Sequence, residues 1–176
     1  VSKYPKCLLE EWKPHRAPVM NIFVLDLDID RCARYHADRH VVKMILESAQ
    51  ILCTVLHENG IPSPYRPTHR NHPCTRWAGR SLSNWSWLKR LALALNREYR
   101  YRYRRKQDHA SARVARRLRP PPIPDIGLTE FAQAMPEPYR IPGDAVGAYR
   151  AFYIGEKAGF ATWTRRRIPE WFVRGL

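Results

Sequence analysis

A line of polar side chains on one predicted helix carries the residue types best suited to chemistry. His36, His40, Lys43, Glu47 and Gln50 follow one another at spacings of four, three, four and three residues. At about 3.6 residues per turn, these spacings place all five side chains on one face of a helix. The positions between them are mostly apolar, so the line is either a solvent-exposed stripe or one wall of a cleft. We favour the cleft, because ordinary surface stripes are filled with Glu, Lys and Arg.

Glu47 is the predicted centre of this line. Beside Lys43 and His40, its carboxylate could act as a general base or stabilise a positive charge that develops in a substrate. One alternative is a metal bound by His36 and His40 at i and i+4, although the full H-E-x-x-H pattern is absent. Another is a set of phosphate contacts made by Lys43 and the histidines.

Two carboxylates that precede the helix are further catalytic candidates. Asp26 and Asp28 could point into the same cleft as Glu47. The alternative for Asp28 is an N-cap, since aspartate is favoured at that position of a helix. The principal carboxylate could therefore be any of these three.

The stretch IPSPYRPTHRNHPCTRW combines prolines with cationic side chains. Proline rigidity lowers the cost of presenting hydrogen-bond donors, and a loop that grips DNA needs its donors in fixed positions. The alternatives are a turn whose histidines are satisfied internally and a metal on two of these histidines. The DNA contacts predicted in this stretch are Arg66, His69, Arg70, Asn71, His72 and Arg76.

A basic and aromatic segment, EYRYRYRRK, alternates tyrosines with arginines, and ATWTRRRIPEWF repeats the theme near the end of the chain. Arginines bind phosphates, whereas tyrosines can either stack on bases or pack in the core. Helical residues do not alternate sides, so some of these tyrosines should belong to the core. The phosphate contacts predicted outside the Pro-rich loop are His36, Lys43, Arg102, Arg104, Arg105 and Arg166.

The overall charge agrees with a nucleic-acid partner. The chain has 31 Lys and Arg against 16 Asp and Glu, a net charge of +15 and a pI near 10.2. Such an excess usually has a phosphate polymer as its partner, although ribosome-associated and highly soluble proteins are also basic. None of the four cysteines forms a C-x-x-C pair, and no apolar run approaches the roughly 18 residues of a membrane span. We expect a cytoplasmic, monomeric DNA-binding protein with no membrane partner, no metal and no cofactor.

Hydrophobic periodicity predicts one all-α domain over residues 20–176, a compact helical bundle with long Pro-rich loops, after an N-terminal extension at residues 1–19. Asn21–Leu27 should be a strand or an extended lead-in to a long helix that reaches about Glu58 and could break near Ala37–Asp38. Further helices are predicted from Ser83, as cap, to about Arg105, from Ser111 to Leu118, from Leu128 to Ala134 with Thr129 as cap, and from Asp144, as cap, to about Ala158.

The segment DRHVVKMILE resembles the catalytic helix of the pyrimidine-dimer DNA glycosylase family (endonuclease V). His40 and Glu47 stand seven residues apart, as the histidine and the catalytic glutamate of that family do. A loop histidine, here His69 or His72, and the later helix WSWLKRLALALNREY extend the similarity over about residues 21–103. The resemblance implies an all-helical fold and a DNA duplex from which the target nucleotide is flipped.

The same resemblance implies roles for individual residues. Glu47 would stabilise an oxocarbenium-like sugar or align a water molecule, while His40, Lys43 and Arg70 would hold the flanking phosphates. The family's nucleophile is the α-amino group of a processed N-terminus, and here nineteen residues precede Met20. We therefore expect a glycosylase that uses water and leaves an abasic site.

In size and charge the chain is also similar to the small bacterial anti-phage DNA glycosylases that remove glucosylated hydroxymethylcytosine. This modified pyrimidine is the base that we expect the protein to excise. Trp77, Trp85 and Trp87 are candidates for a glucose pocket, with at least two of them expected in the core. The alternatives are a pyrimidine-dimer glycosylase with abasic lyase activity, a metal-dependent nuclease that uses the histidines, and a non-enzymatic nucleic-acid-binding protein.

Overall fold

A buried segment without helix or strand leads into the helices. The computed structural model describes residues 20–175, so the predicted extension at residues 1–19 lies outside the described residues. From Met20 to Leu25 every side chain is buried, and no strand pairing is present there. Of the two alternatives for this segment, the lead-in is confirmed.

The predicted break in the long helix is confirmed, and it produces two helices. Helix α1 spans Ile29–Tyr35 and helix α2 spans Asp38–Glu58. The carboxylate of Asp28 accepts the N–H of Arg31 at 2.8 Å and thereby caps α1. Helix α2 begins without a side-chain cap and ends at Asn59, followed by Gly60 at a φ of +73°, as glycine at a helix end favours.

Helices α3 (Pro73–Arg80), α4 (Leu82–Arg102) and α5 (Ala110–Arg117) follow. The predicted cap of α4 was wrong by two residues, since Ser81 occupies the N-cap position. The hydroxyl of Ser83 instead donates to Asp125 at 2.7 Å, which ties the start of α4 to a distant loop. At α5, His109 is the cap, and its ring accepts the N–H of Ser111.

Helix α6 spans Ala145–Lys157 and α7 spans Glu170–Val173, with short 3-10 turns at Glu137–Tyr139 and Ala158–Phe160. The predicted cap of α6 is confirmed, because Asp144 accepts the N–H of Gly147 at 2.8 Å. This capped helix carries three large side chains into the core. They are Tyr149, Phe152 and Tyr153.

The helix predicted at Leu128–Ala134, with Thr129 as cap, is absent, and that prediction was wrong. Distant groups take the hydrogen bonds that a helix would have used. Asn84 accepts the N–H of Thr129 at 2.9 Å and donates to the Thr129 hydroxyl at 2.8 Å. The N–H of Ala134 donates to the Tyr149 hydroxyl, and its carbonyl accepts from Asn21. The segment is thereby held as a strap beside α4 and the N-terminal lead-in.

The core is built around α2, which contacts α3, α4 and α5. The described residues form helices, turns and loops without strands, so the predicted all-α class and its long Pro-rich loops are confirmed. The described cysteines, Cys32, Cys53 and Cys74, are free and buried. Within residues 20–175, the helices are all too short or too polar to cross a membrane.

Candidate active site around Glu47

Glu47 lies on α2 with both carboxylate oxygens engaged. Its Oε2 accepts the backbone N–H of Asn21 at 2.9 Å, and its Oε1 lies 3.1 Å from Nζ of Lys43. The Glu47 side chain is 6% exposed, whereas the Lys43 side chain is 59% exposed. One oxygen is therefore fixed by the protein interior, and the other is paired with a cation that faces solvent.

A hydrogen-bond network orients Asn21 so that its backbone N–H points at Glu47. The Asn21 side chain donates to the carbonyl of Ala134 at 2.8 Å. Its Oδ1 accepts the N–H of Ile22 at 2.8 Å and lies 2.9 Å from the hydroxyl of Tyr149. Tyr149 is itself buried on α6. Elements far apart in the chain thus converge on one amide, and this amide orients the carboxylate.

Burial raises the pKa of Glu47 above its ordinary value. The Asn21 N–H, the Lys43 ammonium and the charge of His69 each favour the carboxylate and lower the pKa, but they do not offset burial. A carboxylate with a raised pKa is a stronger base than an ordinary glutamate, and it also stabilises a nearby cation more strongly in its poorly solvated setting. Both properties fit the chemistry predicted for Glu47.

His40 lies one turn before Lys43 and is buried. Its ring stacks on Phe23 with centroids 4.4 Å apart, and its Nδ1 is hydrogen-bonded to the hydroxyl of Tyr153. Burial lowers the pKa of His40 to about 3, helped by His36 and two lysines. The ring is therefore neutral at pH 7, so it positions the start of α2 but brings no positive charge to a phosphate.

The prediction that His36 contacts DNA was wrong, because the side chain is buried. The ring is fully buried, and its Nδ1 donates to the carbonyl of Cys32 at 2.7 Å. The break between the helices puts His36 at the end of α1, where burial lowers its pKa to about 4. The polar line on α2 therefore starts at His40.

The predicted phosphate contacts of Arg102 and Arg166 are also wrong, because carboxylates bind both side chains. The Arg102 side chain is fully buried and pairs with Asp38 at 3.1 Å and Glu98 at 3.0 Å. It donates further to the carbonyls of His36 and Arg34. Arg166 binds both oxygens of Glu98, at 2.7 and 3.0 Å. These two arginines stabilise the fold. Their positive charges are compensated by Asp38 and Glu98, so they are poorly placed to bind DNA phosphates.

Asp26 and Asp28, the other predicted catalytic carboxylates, are engaged away from Glu47. Asp28 is exposed and caps α1. Asp26 pairs with Arg31 at 3.2 Å and with Arg150 at 3.3 Å, and it lines a different cavity. Both carboxylates thus have partners other than those of Glu47, which is not among the residues that line the cavity of Asp26.

The Pro-rich loop is anchored on the Glu47 side of α2. Thr54 lies seven residues after Glu47, hence on the same face, and it accepts the N–H of Thr68 at 3.1 Å. His69 follows in a left-handed conformation with a φ of +49°. The predicted loop contacts that are exposed to solvent are Arg66, His69, Arg70, Asn71 and Arg76.

Two of the loop residues also have structural partners. His72 is the cap of α3, where its ring accepts the N–H of Cys74 at 3.2 Å. Arg70 pairs with Glu58 at 3.2 Å, and both side chains are largely exposed. The exposed Arg104 and Arg105 follow the end of α4, beyond the Arg102–Asp38 pair at the start of α2. Asp38 itself stands nine residues, or about two and a half turns, before Glu47 on α2.

A cavity of about 490 Å³ meets the Asn21 network at Ala132, while Glu47 and Lys43 are not among its lining residues. The hydroxyl of Tyr149, which bonds Asn21, also lies 2.8 Å from the carbonyl of Ala132 in the cavity wall. The indole Nε1 of Trp77 is buried and has no hydrogen-bond partner among the described residues. The cavity is lined by Pro73, Arg76, Trp77, Arg80, Glu130 and Ala132.

Sequence reasoning missed Asn21, Arg80 and Glu130. Asn21 acts through its backbone N–H, which no side-chain pattern reports. Glu130 reaches the cavity only because its segment forms a strap instead of the predicted helix. Arg80 stands four residues after Arg76 on α3, so an i, i+4 pattern could have indicated it.

All three tryptophans are buried, so the expectation that at least two of them lie in the core is confirmed. Trp85 is almost fully buried and donates to the carbonyl of Leu52 at 3.3 Å. Trp87 is buried against Phe131, with ring centroids 4.7 Å apart. Only Trp77 of the three lines the cavity beside Asn21.

No cluster of three or more His, Cys, Asp or Glu suited to a metal occurs within residues 20–175. The alternative of a metal-dependent nuclease therefore has no group of three metal ligands in that part of the chain. Comparison of the chain with family models, with curated proteins and with solved structures gives no match.

Proposed function

We propose that the protein is a DNA glycosylase in which Glu47 acts at the sugar of a flipped nucleotide. The observation that carries the proposal is the buried carboxylate of raised pKa, fixed by the Asn21 N–H and flanked by an exposed lysine. A positive charge develops on the sugar as the C1′–N bond weakens, and a poorly solvated carboxylate stabilises it strongly. The net charge of +15 supports DNA as the substrate.

The geometry suggests a division of labour within the Glu47 carboxylate. Oε2 stays bonded to Asn21, while Oε1, on the side of Lys43, faces the sugar. The C1′–N bond breaks, its electron pair leaves with the base, and the base takes up a proton. Water adds its oxygen to C1′ and gives its proton to the carboxylate or to solvent. The products are a free base and an abasic site.

The cavity beside the Asn21 network suits the extrahelical nucleotide. Glycosylases expose their target by rotating a nucleotide out of the duplex into a pocket. At about 490 Å³ this cavity has the size of an ordinary small-molecule site. Arg76 and Arg80 can bind the flanking phosphates, and the free indole N–H of Trp77 offers a hydrogen bond to the ligand.

The base that we favour is a pyrimidine with a bulky polar substituent, glucosylated hydroxymethylcytosine of phage DNA. An aromatic wall beside a carboxylate is a setting that binds sugar hydroxyls. Trp77 and Glu130 supply these groups in the cavity lining. Removal of such a base from invading DNA would be an anti-phage activity in the cytoplasm, carried out by a monomer.

Base release tests the proposal directly. The protein is incubated with unmodified, ultraviolet-irradiated, hydroxymethylated and glucosylated DNA, and free bases and abasic sites are measured. We expect release from glucosylated DNA. Glu47→Gln should lower the rate at least about 100-fold while DNA binding persists, since a neutral amide cannot stabilise the cation. Glu137→Gln, the same change at an exposed site, is the matched control.

Absence of release from all four DNAs, with salt-dependent binding intact, would leave a DNA-binding protein without enzymatic activity. Release that is equally fast in Glu47→Gln would also overturn the assignment of Glu47. Action on irradiated DNA alone would replace the modified cytosine with a pyrimidine dimer and keep the role of Glu47.

One observation favours a second candidate, a glycosylase with abasic lyase activity. The backbone nitrogen of Asn21 lies 2.9 Å from Glu47, which is where an α-amino nucleophile would need to lie. A chain made to begin at Asn21 by proteolytic cleavage should then be trapped on abasic DNA by borohydride reduction of a Schiff base. The uncleaved chain should not be trapped, because this nitrogen is then an amide. Equal trapping of both chains would assign the lyase nucleophile elsewhere.

A further inference from the structure

A second cavity, of about 510 Å³, lies on the far side of α2 from Glu47. Leu56 contributes to its wall and stands nine residues after Glu47. Nine residues at 3.6 per turn are two and a half turns, so the two side chains point in opposite directions from the helix. DNA bound at Glu47 would leave this cavity, here called the arginine-rimmed groove, open.

The floor of the groove is apolar. Helix α2, the start of the Pro-rich loop and helix α5 each contribute aliphatic or proline side chains. These floor residues are Leu56, Ile61, Pro62, Pro64, Val114 and Leu118. An open apolar cavity of this size is the kind of surface into which a partner's side chains fit.

The groove is fixed before any partner arrives. The hydroxyl of Ser63 donates to the carbonyl of Cys53 at 3.2 Å, and the ring of His57 donates to the carbonyl of Tyr65 at 3.1 Å. The hydroxyl of Tyr65 donates to Ser111 on α5 at 3.0 Å. These bonds join the loop to both helices, so little entropy is lost in ordering the site.

The rim of the groove is strongly cationic. Arg113, Arg117 and Arg119 line it, and its lining contains no Asp or Glu. The nearby carboxylate of Asp108 is already taken by Arg116 at 3.0 Å and Arg100 at 3.5 Å. In the part of the chain that the structure describes, Arg117 and Arg119 have no carboxylate partner within 4.0 Å.

We propose that the arginine-rimmed groove binds an acidic peptide segment of a partner protein, with apolar side chains in the floor and carboxylates on the arginines. Charge complementarity selects the acidic partner. A nucleic-acid backbone would satisfy the arginines, but it has no aliphatic side chains to fill the floor, whereas a peptide supplies both. The proposal concerns a face remote from Glu47 and does not depend on the glycosylase assignment.

The test is fluorescence anisotropy of labelled peptides with the full-length protein. The probe is a short peptide of Asp and Glu with a central Leu-Pro-Phe. Matched control peptides replace the acids with lysines or the three apolar residues with glycines. We expect saturable binding of the probe and at least about tenfold weaker binding of both control peptides, since each lacks one half of the recognition.

Substitutions in the rim and the floor locate the binding. Arg117→Glu should weaken the probe at least about tenfold, and Val114→Ser should weaken it while leaving the rim charge unchanged. Arg90→Glu, an exposed arginine on α4, is the control for net charge. DNA binding and base release at Glu47 should persist in all these variants.

Three outcomes would overturn the proposal. The first is equal binding of the probe and of the control peptide whose three apolar residues are glycines, which would leave only non-specific charge attraction. The second is a loss of probe binding in Arg90→Glu as large as in the rim variant. The third is displacement of the probe by short duplex DNA at stoichiometric concentration, which would make this face a second nucleic-acid surface.

Discussion

Two opposing effects set the pKa of Glu47. Burial favours the neutral carboxyl group, while the Asn21 N–H and the Lys43 ammonium favour the carboxylate, and burial dominates. The reaction requires the charged form. As pH falls through the raised pKa, the carboxylate takes up a proton and the rate of base release should fall, at a higher pH than for an ordinary glutamate.

Replacing Lys43 with methionine tests this balance. The Lys43 ammonium lowers the pKa of Glu47, so Lys43→Met should raise that pKa further and move the acid limb of the single-turnover rate to higher pH. Lys106→Met removes the same charge at an exposed position after α4 and should leave the limb in place. An unchanged limb in Lys43→Met would show that the limb reports another group.

Spacing on α2 predicted the positions of Glu47, Lys43 and His40 because the helix is regular from Asp38 onward. It could not predict the state of the His40 ring, which follows from packing against Phe23 and Tyr153. His36 was misassigned because the chain turns at Ala37, one residue after it. Residue spacing could not predict the role of Asn21, because Asn21 contributes a backbone N–H that tertiary contacts bring to Glu47.

At the scale of elements, the junction between α1 and α2 is held by a buried charge cluster. Asp38 is approached by Arg102 from α4 and by two threonines, Thr162 and Thr164, that precede α7. Burial alone would raise the pKa of Asp38, but the hydrogen bonds from Thr164, Arg102 and Thr162 outweigh it and hold the pKa below its usual value. The cluster thus fixes the start of the helix that carries Glu47.

Arg102→Met should cost about 3–5 kcal/mol of unfolding free energy, because it leaves the buried carboxylate of Asp38 without its cation and Glu98 with Arg166 alone. Urea unfolding followed by circular dichroism measures this loss. Arg105→Met, at an exposed arginine three residues later, should change stability by less than about 0.5 kcal/mol. Equal effects of the two substitutions would mean that the cluster adds nothing to stability.

Elements defined by local signals were predicted well, and those defined by distant partners were not. Asp28, Asp144 and the Asn59–Gly60 end carry their own capping or terminating groups. The strap at residues 128–134 has helix-like composition, yet Asn84 and Tyr149 bind its backbone groups. Only the tertiary fold decides such a competition for hydrogen bonds.

At the scale of the whole molecule, the +15 charge is not all available to DNA. Arg102 and Arg166 are committed to Asp38 and Glu98, whereas Arg76 is exposed beside the proposed nucleotide cavity. Each phosphate contact releases condensed counterions. The slope of affinity against salt concentration therefore reports how many cationic side chains contact DNA phosphates.

Arg76→Met should therefore reduce the slope of log Kd against log salt by about one. Arg166→Met should leave that slope unchanged, because its guanidinium is bound to Glu98 rather than to phosphate. Anisotropy titrations of labelled duplex DNA over a range of salt concentrations give both slopes. A larger slope change for Arg166 than for Arg76 would place the DNA on the face that carries the end of α4.

The cluster around Asp38 has a consequence for how the protein is made. The N–H of Asp38 donates to the carbonyl of Thr162 at 2.8 Å, and its carboxylate accepts the hydroxyl of Thr164, 126 residues further along the chain. Domains fold as units while the ribosome delivers them from the N-terminus. A nascent chain that has not yet exposed Thr164 lacks these bonds at the first turn of α2. The first turn of the helix that carries Glu47 therefore gains these bonds only late in synthesis, after Thr164 has emerged.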